Sequence, residues 1–292
     1  MNAAIDRFFK VSERGSTIGT EVRAGVVSFF AMAYIILLNP LILGTSADVA
    51  GNTLGIPQVA AATALVAGVM TIAFGCIARY PFAMAAGLGM NTFVAVTMVS
   101  TKGLEWREAM GLVVIEGLII VALAMSGFRQ AVFDAIPDSM KAAMGVGIGM
   151  FIAMIGFVDG HFVTRVPDAA QTTVPVGLGV NGSISTWPAL VFVLGLIICG
   201  FFVIRQVRGG LFLGIVITTV IAMIIQAATG SEDWSMATPE IPSSFGGIPD
   251  LSIVGQVDPI GAFTKLGVVA TTLLIFTLLL TNFFDAMGTM NG

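Results

Sequence analysis

The chain has 292 residues, 57% of them hydrophobic and only 10% charged, with 13 Lys and Arg against 17 Asp and Glu. A mean hydropathy of +0.98 excludes a soluble globular domain, and a formal charge of -4 offers no basic face for nucleic acid. What matters in such a chain is where lysine and arginine fall relative to the apolar runs.

Residues 1–23 carry Arg7, Lys10, Arg14 and Arg23 among polar neighbours, and the run that follows, 24–43, is long enough to cross a bilayer. This pattern predicts a signal anchor; a cleaved signal peptide has a shorter apolar core, usually about 7–15 residues. Asn39 and Pro40 sit near the end of the run. A buried asparagine before a proline reads as a satisfied kink, with a polar contact to a substrate region as the alternative. Further spans are expected at 57–78, 82–99, 109–127, 140–158, 187–204 and 210–228, and an eighth begins near Leu266. The expected fold is therefore an all-α polytopic membrane protein with about eight transmembrane helices. With the amino end in the cytoplasm, Arg7, Lys10, Arg14, Arg23, Arg79, Arg129, Lys141, Arg205 and Arg208 fall inside, and Lys102, Arg107, Arg165 and Lys265 fall outside. That bias points to a multi-pass protein of the cell (inner or plasma) membrane with a cytoplasmic amino terminus.

The third span, PFAMAAGLGMNTFVAVTMV at 81–99, is apolar enough for a membrane and poorly made as a helix. Pro81 lacks a donor, Gly87 and Gly89 cost about 1 kcal/mol each against alanine in a helix interior, and Asn91 adds a full amide. Irregular backbone survives in hydrocarbon only where protein or a water-filled cavity satisfies it. An extended lead-in followed by a half-helix from about Asn91 therefore marks a binding site, and the amino end of such a half-helix attracts electron-rich ligand atoms.

In the fourth span Glu116 needs a partner or a proton; a structural hydrogen bond and a direct part in transport both fit it. Gly145, Gly147 and Gly149 in the fifth span read as a close helix contact. The connection 161–186 contains GLGVNG at 177–182, which matches the dinucleotide fingerprint formally, but no βαβ unit surrounds it and a turn-rich external loop is the better reading. Asn181 opens a sequon by pattern alone. His161, the single histidine, has no second ligand beside it, and Cys76 and Cys199 lie in apolar spans as small packing residues, so no metal or cofactor is expected. The polar stretch 229–265 reads as an external loop, lying on the outer surface or packed as a partly ordered cap, with no chemistry of its own, and the eighth span, 266–292, carries Asn282 and Asp285 on one helix face. An ionised carboxylate among Phe283, Phe284 and Met287 is costly, which makes Asp285 a candidate proton-coupled ligand, with capping of a helix break before Gly288 as the structural alternative.

GLGMNTF at 87–93 and TNFFDAMGT at 281–289, together with MAYIILLNPLIL at 32–43, resemble the AzgA-like purine permeases. These form a group of the nucleobase–cation symporters within the nucleobase–ascorbate transporter superfamily, and the similarity extends along essentially the whole chain. The resemblance implies fourteen spans in two inverted seven-span repeats, with a core domain that includes 24–127 and a gate domain that includes 128–228. It implies import of hypoxanthine, guanine or adenine by proton symport with alternating access, sodium being the less favoured ion. It places Asn91 and Gly89 at the span-three site, Asn39 as the span-one amide, and Asn282 and Asp285 at the span-eight site, with Phe93 or Phe82 available to stack on a purine. Asp285 and Glu116 become the proton-coupling candidates. Two positions depart from the pattern: Asn282 stands where an aspartate is typical, and Ala286 where a threonine is common. The span-ten glutamate of the pattern lies beyond Gly292, and the expectation is that residues 1–292 by themselves do not transport. A homodimer is compatible with this reading.

Rival readings are a carrier of the same fold for another nucleobase or an anion, and a non-transporting membrane scaffold. A channel would need a continuous polar pore, and an intramembrane enzyme a nucleophile–base pair or metal ligands; neither H-E-x-x-H nor G-x-S-x-G occurs.

Overall fold

The computed structural model describes residues 3–79, 82–127, 132, 134–165, 176–180, 182–207, 209–234, 238–239 and 248–291. Pro81, Arg129, Pro175, Asn181 and Arg208 lie outside the described residues. The chain divides into two compact units, one of 1–148 with 248–292 and one of 149–247.

The first unit opens with α1 (Ala3–Phe9) and α2 (Ile18–Met32). Thr17 caps α2 by accepting the Thr20 amide at 3.2 Å, so the helix starts at Ile18 rather than at Ala24. After a two-residue break it resumes as α3 (Ile35–Gly44), which contains Pro40, and the 27 residues Ile18–Gly44 form one span. α4 (Ile56–Ile77) follows Gly55, whose φ of 80° suits glycine, and has Pro57 in its first turn. Next come residues 82–87 without regular structure, then the short α5 (Leu88–Thr92), which continues as a π-helix from Phe93 to Thr101. The expected extended lead-in and half-helix are present. The helix starts at Leu88, and its wide turns were not expected: Ser100 and Thr101 hydroxyls donate to carbonyls five residues back, at 2.9 and 2.8 Å.

α6 (Trp106–Met125) begins where the Glu105 amide donates to the Glu108 carboxylate at 2.8 Å and the Trp106 amide to Asp48 at 3.2 Å. α7 (Asp138–Asp159) contains the boundary between the two units. The unit's last helices are α10 (Gly261–Leu266) and α11 (Val268–Asn291), separated by Gly267 at φ 80° and tied together by the buried Thr271 hydroxyl, which donates to Ala262 O at 3.0 Å. Met98, Leu104, Leu112 and Leu278, all at 0% exposure, form the centre of a core shared by the π-helix, α6 and α11.

In the second unit, α8 (Trp187–Ile204) and α9 (Gly210–Thr229) make a helical hairpin. The loop before α8 is more ordered than a turn-rich connection: β1 (Val163–Arg165) pairs antiparallel with β2 (Val176–Leu178), Thr164 opposite Gly177. The glycines of GLGVNG thus belong to a two-stranded ribbon and its turns, with Gly179 and Gly182 at positive φ.

Seven described helices are long and apolar enough to cross a membrane: Ile18–Gly44, α4, α6, α7, α8, α9 and the 268–287 part of α11, with Leu88–Thr101 as a shorter apolar helix. The protein is a multi-pass, mainly helical membrane protein. One expectation is corrected. A side-chain carbon at Gly147 or Gly149 would meet nothing within 4 Å, so these glycines make no close helix contact among the described residues. The close approach is made elsewhere, where a carbon on Gly214 would strike the Cys199 side chain and one on Gly195 the Thr218 side chain. Gly214→Val is expected to destabilise the protein by about 1–3 kcal/mol, the usual cost of overpacking, and Gly147→Ala to leave stability equal or higher. Thermal unfolding of the purified protein in detergent checks both.

Candidate functional site

The broken third span can exist because neighbouring elements take up its polar groups. The Thr71 hydroxyl on α4 accepts the Met84 amide at 2.9 Å and reaches the Met84 carbonyl at 3.4 Å, so one side chain pairs both backbone groups of Met84 in the lead-in. Gly87 is extended, at φ -73° and ψ 125°, and its carbonyl receives the Asn91 amide at 3.2 Å, the first bond of the half-helix.

One turn into that helix, Asn91 Nδ2 donates to Asn39 Oδ1 at 2.6 Å, and Asn39 Nδ2 donates to Thr63 Oγ1 at 2.7 Å. Asn39 is 5% and Thr63 8% exposed, so this chain of three side chains from α3, α4 and α5 is interior. Asn39, Thr63 and Asn91 all line a cavity of about 830 Å³, with Met90, Val94 and Val113 among its apolar lining residues. Its lining continues to the loop around Asp48 and Asn52 and to Arg107 at the start of α6. Amides on an apolar wall are the usual make-up of a small-molecule site.

Part of the long polar connection closes over this cavity. Ser252, Ile253 and Val257 contribute to its lining, the Asp258 amide donates to Arg107 O at 2.8 Å, and Asp250 accepts Gln58 Nε2 at 2.8 Å. The Ser252 backbone amide, then its hydroxyl and the Gln58 amide, hold the Asp250 carboxyl below the usual carboxylate range. Chemistry was not expected from this stretch, and it supplies part of the cavity wall.

The two intramembrane acids stand on separate partners. Glu116, 1% exposed, accepts Asn282 Nδ2 at 2.9 Å. This gives a local reason for Asn282: an aspartate there would set a second carboxylate against Glu116, whereas the amide supplies the donor that Glu116 requires. Asp285 is half-buried one turn further along α11, and its carboxylate lies against Gly87, where a side-chain carbon would strike Oδ2. A carboxylate beside the amino end of the half-helix suits the field of its free amides.

Asn39 and Asn91 are thus brought together on the cavity, while Glu116, Asn282 and Asp285 do not line it. Neither do Gly89 and Phe93. Phe93 packs against the apolar core instead, and Phe82 lies edge-on to Phe74 at 6.0 Å between ring centres. Thr63 was missed. Its only signal in the sequence is a lone hydroxyl amid the apolar residues 59–70.

Residues 19–292 match the xanthine/uracil permease model, described as the Permease family. The chain belongs to this family. Its members are transporters, not enzymes. A guanine/hypoxanthine permease of Bacillus subtilis is 33% identical over 290 residues, covering 97% of this chain and 61% of the relative. An adenine permease of Escherichia coli K12 is 31% identical over 288 residues, covering 99% and 58%. A nucleobase transporter of Paenibacillus larvae is 29% identical over 277 residues, covering 93% and 50%. The chain spans about three fifths of the length of the first two relatives.

The pairing of Asn282 with Glu116 is open to direct test in this permease. Asn282→Leu strips Glu116 of its hydrogen-bond partner among the described residues and is expected to cost about 1–3 kcal/mol. Thermal unfolding of the purified protein would show it, with Asn282→Gln losing less.

Proposed function

We propose that the chain belongs to a secondary active transporter that imports purine nucleobases, hypoxanthine, guanine or adenine, by proton symport across the cell membrane, with its amino terminus in the cytoplasm. The observation that carries this reading is the pair of amides, Asn39 on α3 and Asn91 in the half-helix, hydrogen-bonded to each other on a cavity wall that also bears the apolar Met90, Val94 and Val113. Relatives named as guanine/hypoxanthine and adenine permeases support the choice of ligand.

An amide both donates and accepts, which matches the mixed donor and acceptor edge of a purine, and the apolar wall suits its flat faces. Asp285 and Glu116 are the proton carriers in this reading. Asp285 stands at the amino end of the half-helix that bears Asn91, so a proton gained or lost there alters the charge beside the substrate site. Asn282 cannot titrate. It holds Glu116 in place and leaves the charge change to the two acids. Alternating access follows from motion of a core, including residues 24–127, against a gate, including 128–228, around a site near the midplane.

The test is uptake of radiolabelled hypoxanthine in a bacterium lacking its own purine permeases, comparing residues 1–292 with the protein at its natural length. Accumulation that collapses with a protonophore and is competed by adenine or guanine, but not by uracil or sulfate, is the expected result. In the natural-length protein, Asp285→Asn is expected to reduce accumulation roughly tenfold or more at equal membrane levels. Unchanged accumulation would remove Asp285 from the mechanism, and competition by uracil or sulfate alone would replace purines as the substrate.

A further inference from the structure

Residues 250–257, which include the part of the long polar connection that lines the cavity, are fastened unequally at their two ends. The carboxyl end is fixed on α6. The Asp258 amide donates to Arg107 O at 2.8 Å, and a side-chain carbon on Gly111 would strike the backbone of Asp258 and Pro259, so chain and helix are in direct contact there. Asp258 Oδ1 then accepts the Ile260 and Gly261 amides at 3.1 and 2.9 Å and starts α10, which Lys265 ties to Glu108 on α6 at 3.3 Å.

The amino end has one polar tie to the rest of the fold among the described residues, from Gln58 Nε2 to the exposed Asp250 at 2.8 Å. The other hydrogen bonds of 250–257 stay inside the segment. The Ser252 amide donates to Asp250 Oδ1 at 3.0 Å, the Val254 amide to Leu251 O at 3.0 Å, and Gln256 Nε2 to Ser252 O at 2.8 Å. Of these residues only Leu251 and Ile253 are half-buried, Ile253 against the core. A segment bonded mainly to itself, with few buried contacts, opens at low cost in free energy.

The single tie leaves a polar atom unpaired. An ionised carboxylate only accepts, and Asp250 is kept ionised, first of all by the Ser252 amide. The end of the Gln58 amide that faces it is therefore the NH₂, and the other end is the carbonyl. That oxygen is buried without a hydrogen-bond partner among the described residues, and it packs where a side-chain carbon on Gly55 would stand. A buried acceptor without a donor opposes the arrangement that holds it there, and turning the amide away from Asp250 relieves it.

We propose that residues 250–257 are a hinged lid on the cavity, pivoting at Asp258 and Pro259 and latched by the Gln58–Asp250 hydrogen bond, and that solute passes this side of the cavity only with the latch open. The choice of solute rests on the purine reading. The hinge and latch do not.

The first test uses the natural-length protein in a bacterium lacking its own purine permeases. In Gln58→Cys with Asp250→Cys, oxidation with copper phenanthroline joins the two sides of the latch, read as loss of the mass shift given by a maleimide–polyethylene glycol reagent. Each single variant controls for Cys76 and Cys199. Initial hypoxanthine uptake is expected to fall roughly tenfold or more as joining nears completion and to return on reduction, while the oxidant leaves the rate of each single variant where it was. Uptake by the joined protein at its rate before oxidation would overturn the lid, and so would a pair that neither oxidation nor short bifunctional thiol reagents can join.

The second test needs neither purine nor transport. Val113→Cys places a thiol on the cavity wall, and its reaction with a small, water-soluble methanethiosulfonate is timed with and without Asp250→Ala. Freeing the latch is expected to speed labelling about three- to tenfold. Equal rates would overturn the lid whatever the solute. If the wild-type protein takes up no purine while the labelling rates differ, the purine reading falls and the lid stands.

Discussion

A membrane interior does not tolerate an unpaired peptide group, and the third span of this permease puts several there. Residues 82–87 have no regular structure, and the helix after them is short and wound as a π-helix. The surrounding architecture answers part of that demand at Met84 and at the start of the half-helix. Thr71 takes both the amide and the carbonyl of Met84, and the start of the half-helix stands beside the Asp285 carboxylate. A side chain at Gly87 would have to displace the Asp285 carboxylate, which occupies the space it would need. The interrupted helix is what brings Asn91 to the cavity.

The polar groups of the interior sort into two sets. Thr63, Asn39 and Asn91 form a neutral row on the cavity wall, built from three different helices and held by two short hydrogen bonds. Two acids, Glu116 and Asp285, and the amide Asn282 form a second set on α6 and α11 that does not line the cavity. Gly87 and Asn91, one helical turn apart, join the two: Asp285 lies against the first, and the second ends the amide row.

Much of the polar interior was legible because membranes make polar residues conspicuous. Asn39, Asn91, Glu116, Asn282 and Asp285 stand out in apolar runs, and each has a polar or close neighbour in the fold. Thr63 did not stand out, since threonines are common in these spans and most of those described bond within their own helix. Phe93 and Gly89 share a motif with Asn91, yet Phe93 packs against the core and neither residue lines the cavity. Adjacency along a helix does not give a shared direction, because successive side chains point about 100° apart.

The sequence by itself determined that this is a helical multi-pass membrane protein, where its spans lie, and that span three is broken. Those properties follow from hydrophobic length and from the local conformational costs of proline and glycine, which need no tertiary partner. Only the tertiary structure decided which polar residues meet. Asn282 pairs with Glu116 across 166 positions of chain, Asn91 with Asn39 across 52, and the loop around Ser252 returns to close a cavity made largely by residues 39–114. The close helix contact likewise fell to Gly195 and Gly214 rather than to the more conspicuous glycines of α7. Hydrogen bonds and van der Waals contacts act over a few ångströms, so their partners are fixed by how helices pack and not by their order along the chain.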